Sequence, residues 1–104
     1  MGKSKLLFSQ KIQLFDGRFE ARIVVYEVSK SKRFPDGVKL SCVLLDLDQG
    51  LPRLLLDNHA PYGYHLHTEM PHNKAVRAQL NINNYEEAID FFMNEALKVV
   101  QNEK

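Results

Sequence analysis

The sequence predicts an α+β fold: an antiparallel β-sheet of about five strands with a C-terminal amphipathic helix packed on one face. Short runs of alternating apolar and polar residues, separated by turn residues, fill the first two-thirds of the chain. The C-terminal segment instead repeats apolar residues at helical spacing. A chain of 104 residues has room for one hydrophobic core, so we expect a single domain over residues 1–104.

The first two strands are predicted on either side of Asp16-Gly17. This dipeptide between two alternating runs is the strongest short-range signal for a β-hairpin. The following run, "RFEARIVVYEV", alternates clearly. The preceding run places its apolar residues on one parity, which indicates one buried and one wet face: Leu6, Phe8, Ile12 and Leu14.

The next strands are separated by polar turns. Residues 29–37 form a basic loop that closes with Pro-Asp-Gly, and "VKLSCVLLDL" from Val38 predicts a third strand, apolar on both parities near its end. A fourth strand is predicted from Pro52 in "PRLLLDN", and "GYHLHTE" at 63–69 is a short candidate fifth. Residues 74–82 form either a sixth strand or an irregular return.

The C-terminal helix has a clear start. Asn84 stands three residues before Glu87, the arrangement that satisfies free amides at a helix N-terminus. Apolar residues then recur every three or four positions through "YEEAIDFFMNEALKVV". This stripe must be buried, and the sheet offers the only surface on which it can pack.

Net charge is +1, but the two parts of the chain differ. Residues 1–40 hold nine Lys/Arg and four Asp/Glu, whereas residues 41–104 hold five and nine. A basic face for a polyanion is compatible with this asymmetry. We expect instead that the charges interleave on the surface, because sequence halves of a sheet protein seldom form separate faces.

The composition of the chain indicates its cellular compartment. The chain is 44% apolar and 26% charged, and its only cysteine, Cys42, lies in an apolar run. A lone cysteine forms no disulfide framework within the chain, so we expect a core thiol in a reducing compartment. No apolar run approaches the roughly 18 residues of a membrane span, and no secretory signal is recognisable at the start. These features indicate the cytoplasm and no membrane partner.

All four histidines lie within residues 57–72. His65 and His67 are two apart on a predicted strand, so both rings should project from the same side. A turn around Pro61 and Gly63 would bring the chain back alongside itself and set His59 near them. We expect a pocket there, edged by Asp57, Tyr62 and Tyr64. His72 follows Met70-Pro71 in a loop, and we expect it to lie at the rim and to take no part in the chemistry.

Three interpretations of this cluster remain open. Imidazoles can divide general acid and base roles at neutral pH, as RNA cleavage through the 2′-hydroxyl requires, with Tyr62 or Tyr64 stacking a base. Phosphate-binding cations would be Arg33, Lys74 or Arg77. Alternatively the histidines bind a metal together with an aspartate or glutamate, or they are structural residues bonded to main-chain carbonyls. We favour the acid–base interpretation, with no metal and no cofactor.

The stretch "DNHAPYGYHLH", with "YEVSKSKRFPDGVKLSCVLLD" before it and "NYEEAIDFFMNEALKVV" after it, resembles the TumE-like toxin family of bacterial type II toxin–antitoxin systems. The family's "DNHAPHGxHxH" segment falls here on Asp57, Asn58, His59, Gly63, His65 and His67. Tyr62 stands where the motif often shows another histidine, which weakens any scheme that needs an imidazole at that position, a metal site above all.

The resemblance implies a small toxin that is neutralised by a helix-turn-helix antitoxin protein. Our hypothesis is a toxin that acts on RNA, in which His65 or His67 is the general base, His59 the general acid and Asp57 the group that orients a ring. The alternatives are a binding protein without catalysis and a metal-dependent hydrolase or nucleotidyl-transferring enzyme.

Overall fold

A computed structural model describes residues 4–58, 63–67 and 77–102 of the chain. Its elements are β1 (Lys5–Leu14), β2 (Phe19–Glu27), β3 (Val38–Asp46), β4 (Leu51–Asp57), β5 (His65–His67), β6 (Arg77–Gln79) and α1 (Tyr85–Asn102). The strands form one antiparallel sheet in the order β1-β2-β3-β4-β5-β6. Helix α1 packs across β2, β3 and β4. The α+β prediction is confirmed, and within the segment 74–82 the structure shows a sixth strand, β6.

The turn between β1 and β2 has the predicted hairpin geometry. The Arg18 amide donates a hydrogen bond of 3.1 Å to the carbonyl oxygen of Phe15. Three consecutive residues of the turn, Phe15, Asp16 and Gly17, have positive φ angles of 56°, 54° and 85°. Aspartate and glycine are among the residues that adopt this left-handed conformation most readily, which explains why Asp-Gly occupies the two central positions.

One prediction for β1 is wrong. Leu6 pairs with Tyr26 whereas Phe8 pairs with Val25, and the register shifts between them. Directly opposed residues share a face, so Leu6 and Phe8 lie on opposite faces of the sheet despite their equal parity. The reason is a β-bulge at this point, because one extra residue reverses the alternation along a strand.

The hydrophobic core lies between the sheet and α1. Alternate residues of β2 and β3 are fully buried on this side, and α1 contributes a buried stripe of Ala88, Phe92, Ala96 and Val100. The helix starts as expected: Asn84 Oδ1 accepts the Glu87 amide at 2.9 Å, and Glu87 Oε2 accepts the Asn83 amide at 3.3 Å. We call the sheet surface away from α1 the open face.

Asp46 holds the two turns at one end of the sheet together. Its Oδ1 accepts the amides of Asp48 and Gln49 at 3.1 and 3.3 Å, and its Oδ2 lies 3.3 Å from an Arg18 guanidinium nitrogen. Burial opposes ionisation of this carboxyl and so acts to raise its pKa. The hydrogen bond and positive charge of Arg18, together with the hydrogen bonds from the Gln49 and Asp48 amides, outweigh burial, and the pKa of Asp46 is lowered. These contacts are structural: Asp46 ends β3, whereas the strand that carries the histidines is level with Ser41 and Val43 in the middle of β3.

Cys42 is a core residue, as predicted. It is fully buried in β3. Burial, together with the nearby Asp57 charge, raises the pKa of the thiol to about 12. The nucleophilic thiolate is therefore absent at neutral pH.

We expect native protein at pH 8 to react with DTNB no faster than it unfolds, because the Cys42 thiol is both protonated and inaccessible. The absorbance of released thionitrobenzoate measures this. Protein unfolded in guanidinium chloride should release one equivalent at once, and serves as the control. Rapid stoichiometric labelling of the folded protein would contradict the burial of Cys42.

Across the described residues, no helix is both long enough and apolar enough to span a bilayer.

Candidate functional site

The chain doubles back between β4 and β5, as the sequence predicted. Asp57 pairs with His65 and Leu55 with His67 in antiparallel register. Leu66, between the two histidines, is buried in the core, so His65 and His67 both project on the open face. Their ring centroids are 5.0 Å apart with an interplanar angle of 72°, an edge-to-face contact. The two imidazoles therefore form one site.

A main-chain carbonyl orients the first ring. Nδ1 of His65 lies 2.7 Å from the carbonyl oxygen of Gly63. Because a carbonyl oxygen only accepts, Nδ1 carries a proton, and in neutral His65 the nitrogen that can take up a proton is Nε2. Gly63 has a φ of 61°, the left-handed region that favours glycine. The sequence analysis assigned the orienting role to Asp57 in the acid–base interpretation and placed a bond to a main-chain carbonyl in the structural one; His65 makes the latter bond.

Both imidazoles are buried. His65 is 0% exposed and His67 4% exposed. A substrate atom reaches the rings only if the atoms that cover them move aside. Burial also removes water from around the rings, which strengthens their electrostatic interactions with neighbouring charges.

Cross-strand pairing surrounds the histidines with polar side chains. His65 lies between Asp57 of β4 and Gln79 of β6, and Ser41 of β3 follows beyond Asp57. Directly opposed residues bring their Cβ atoms to within about 5.5 Å. The sequence prediction included Asp57 but missed Ser41 and Gln79, since only the strand register places them in this row.

Arg77 brings a cation to the site. It is the direct partner of His67 on β6, is half-buried, and lies on the same face. A guanidinium offers planar hydrogen-bond donors that match a phosphate. The structure therefore places one of the three sequence-predicted phosphate-binding residues beside an imidazole.

Asn58 locks the end of β4 where the site begins. Its side-chain Oδ1 accepts the Leu40 amide at 2.9 Å and its Nδ2 donates to the Val38 carbonyl oxygen at 2.8 Å. These bonds continue the ladder between β3 and β4 with a side chain instead of a main chain. Asn58 is 6% exposed, and its own amide donates to Asp57 Oδ1 at 3.0 Å. Asn58 thus fixes the strand end that carries Asp57.

Tyr64 lies away from the histidine rings. It packs against the core on the helix side. Partial burial there, followed by the charge of Asp36 and the Tyr85 hydroxyl, raises the pKa of Tyr64. Its ring does not line the open face beside His65 and His67.

The remaining predicted residues divide into two groups. Arg33 is exposed in the loop between β2 and β3, with its guanidinium 5.7 Å from the centre of the Phe34 ring. This loop leads into the start of β3, the same end of the sheet as Asp57. The other predicted residues lie outside the described ranges: His59, Tyr62, Lys74 and His72.

Charge is more separated than we expected. Helix α1 presents Glu86, Glu87 and Asp90 to solvent near its start. The open face instead carries basic residues on neighbouring strands, together with the acidic residues Glu20 and Asp57. The basic residues are Lys11, Arg22, Lys39 and Arg77.

Among the described residues, no group of three or more His, Cys, Asp or Glu is placed to hold a metal ion.

Comparison with known proteins gives no relative: the chain matches no family model, no curated protein and no solved structure.

Proposed function

We propose that this protein is the toxin of a bacterial toxin–antitoxin module and that it cleaves RNA by acid–base catalysis at the histidine site. The observation that supports this best is the pair of contacting imidazoles. His65 has one nitrogen committed to the Gly63 carbonyl, and His67 lies 5.0 Å away from ring centre to ring centre. Two adjacent imidazoles supply the base and the acid that cleavage through a 2′-hydroxyl needs.

In the proposed reaction, Nε2 of His65 removes the proton of the ribose 2′-hydroxyl. The 2′-oxygen forms a bond to the adjacent phosphorus, and the bond from phosphorus to the 5′-oxygen breaks. Protonated His67 delivers a proton to the departing 5′-oxygen, which leaves a 2′,3′-cyclic phosphate and a free 5′-hydroxyl. We assign the acid to His67 rather than to His59 because His67 contacts His65.

Charges around the pair suit an anionic substrate. Arg77, opposite His67, can neutralise the extra negative charge on phosphate as the 2′-oxygen attacks. The bases on the open face favour approach of a polyanion, whereas the acidic start of α1 disfavours it. RNA binding would also have to displace the atoms that cover the rings.

The assignment to a toxin–antitoxin module rests on the "DNHAPYGYHLH" stretch and its resemblance to TumE-like toxins. The expected partner is a helix-turn-helix antitoxin encoded next to this gene, with the pair acting in the cytoplasm. Growth arrest on expression, relieved by co-expression of that neighbour, is the expected result. A gene without such a neighbour would contradict the module while leaving the RNA chemistry to be tested separately.

We expect purified protein to cleave an unstructured RNA in the presence of EDTA, because both proton transfers use side chains. Mass spectrometry of the fragments should show 2′,3′-cyclic phosphate and 5′-hydroxyl ends. The matched control is the same oligonucleotide with 2′-O-methyl riboses, which should stay intact because it lacks the attacking hydroxyl. Fragments with 5′-phosphate ends, or cleavage only after addition of a divalent cation, would favour the metal-dependent alternative.

A binding protein without catalysis is the second candidate, and one observation favours it. His65 is fully buried, and its hydrogen bond to Gly63 is also what a structural histidine would make. In that case RNA remains intact in the cleavage assay under all ionic conditions, while the protein still binds a cellular partner reproducibly.

A further inference from the structure

Strand β1 forms an open edge of the sheet. It is ten residues long, and within the described ranges only β2 pairs with it. Near its start three consecutive apolar side chains are exposed, Leu6 by 53%, Leu7 by 40% and Phe8 by 38%. A long edge strand with unpaired main-chain groups and exposed apolar residues is a surface for pairing with another strand.

A groove lies beside this edge, between β1 and the start of α1. Its volume is about 400 Å³. Its apolar lining comes from Leu7, Phe8, Tyr85 and Ile89, and its acidic lining from Glu86 and Asp90. We call this the edge groove. Its chemistry fits an apolar side chain accompanied by a cation.

We propose that β1 and the edge groove bind a second copy of this chain, with the two β1 strands paired antiparallel about a two-fold axis. The chain itself carries the segment that the groove fits, because Lys5 precedes Leu6, Leu7 and Phe8. A two-fold interface must be self-complementary, and here each copy offers an apolar segment with a cation and receives one in an acidic apolar groove.

The side of β1 on which Lys5 lies supports this occupant. Lys5 pairs with Glu27 and lies on the helix side of β1, the side of the edge groove.

Symmetry keeps both helices on the same side. With the two-fold axis perpendicular to the sheet, the two copies form one continuous sheet and the two edge grooves meet across the seam. The histidine site, on β5 and β6 at the other edge, stays outside this interface. The proposed dimer and the histidine site therefore use opposite edges of the sheet, and the dimer does not rest on the proposed function.

Sedimentation equilibrium of the full chain tests the proposal. Wild-type protein should sediment with twice the chain mass, and Leu7→Lys should raise the dimer dissociation constant by about 100-fold or more by placing charges at the seam. The matched control is Leu97→Lys on α1, where the wild-type leucine is 42% exposed, and it should leave the dimer intact.

A charge exchange provides a second test that does not depend on the folding of Leu7→Lys. Lys5→Glu alone should weaken the dimer, and the combination of Lys5→Glu with Glu86→Lys and Asp90→Lys should restore it in low salt. A wild-type protein that stays monomeric at high concentration overturns the proposal. So does a dimer that is indifferent to Leu7→Lys and Lys5→Glu, and so does a monomer that instead binds another protein at β1.

Discussion

Replacing His65 with asparagine should lower kcat/KM for RNA cleavage by roughly 10²–10⁴-fold while the protein remains folded. The asparagine Nδ2 occupies nearly the position of the imidazole Nδ1 and can keep the hydrogen bond to the Gly63 carbonyl oxygen. Nothing replaces Nε2, the proposed proton acceptor. The variant therefore separates the catalytic role of His65 from its structural role.

Initial rates across pH supply the decisive measurement. Wild-type kcat/KM should be bell-shaped, because the base must be neutral and the acid protonated. On the acidic side of this profile, kcat/KM rises with pH because the base loses its proton. His65→Asn lacks the base, so its kcat/KM should be low and should no longer increase with pH in that range. His72→Asn is the matched control and should retain wild-type rates. A His65→Asn protein with full activity would eliminate His65 as the base.

Replacing Asn58 with alanine should lower the free energy of unfolding by about 2–4 kcal/mol. The change removes both side-chain hydrogen bonds and leaves the Leu40 amide and the Val38 carbonyl without these partners in a buried place. For a domain of this size the melting temperature should fall by roughly 10–20 °C. Thermal unfolding followed by circular dichroism measures the change, and Asn81→Ala, at an exposed asparagine, should have little effect.

Asn58→Asp probes the same contacts through pH. The carboxyl still accepts the Leu40 amide, but when ionised it presents an oxygen to the Val38 carbonyl in place of a donor. The folded state then favours the protonated form and raises the pKa of this group above its unfolded value. Stability should therefore be greatest below the unfolded pKa and should decline as pH rises through the folded one. Equal stability of this variant and wild type at neutral pH would contradict the role of Asn58.

Local patterns predicted most of the fold because they reflect local causes. Asp16-Gly17 predicted a turn whose two central residues need positive φ, and the structure has that turn. Asn84 predicted the helix start through a hydrogen bond that spans three residues. Leu6 was assigned to the wrong face because a bulge depends on how β1 meets β2, which the alternation of one strand does not contain.

In the candidate site, the spacing of residues within one strand predicted only the shared face of the two histidines. His65 and His67 share a face because they are two residues apart on β5, and no tertiary information is needed for that. Ser41 and Gln79 were missed, since each joins the site through strand pairing. A main-chain carbonyl partner was one of the open interpretations, but the sequence did not identify the Gly63 carbonyl as that partner.

By itself, the sequence determined the α+β class, the hairpin, the amphipathic helix and the shared side of two imidazoles, because dihedral preferences and residue periodicity act over a few residues. Only the tertiary structure decided that His65 is buried and held by Gly63 and that Arg77 stands opposite His67. It also decided that β1, within the described part of the chain, pairs with β2 alone and lies beside a groove with apolar and acidic lining. Register and burial arise from contacts between segments far apart in the chain, and no local pattern encodes them.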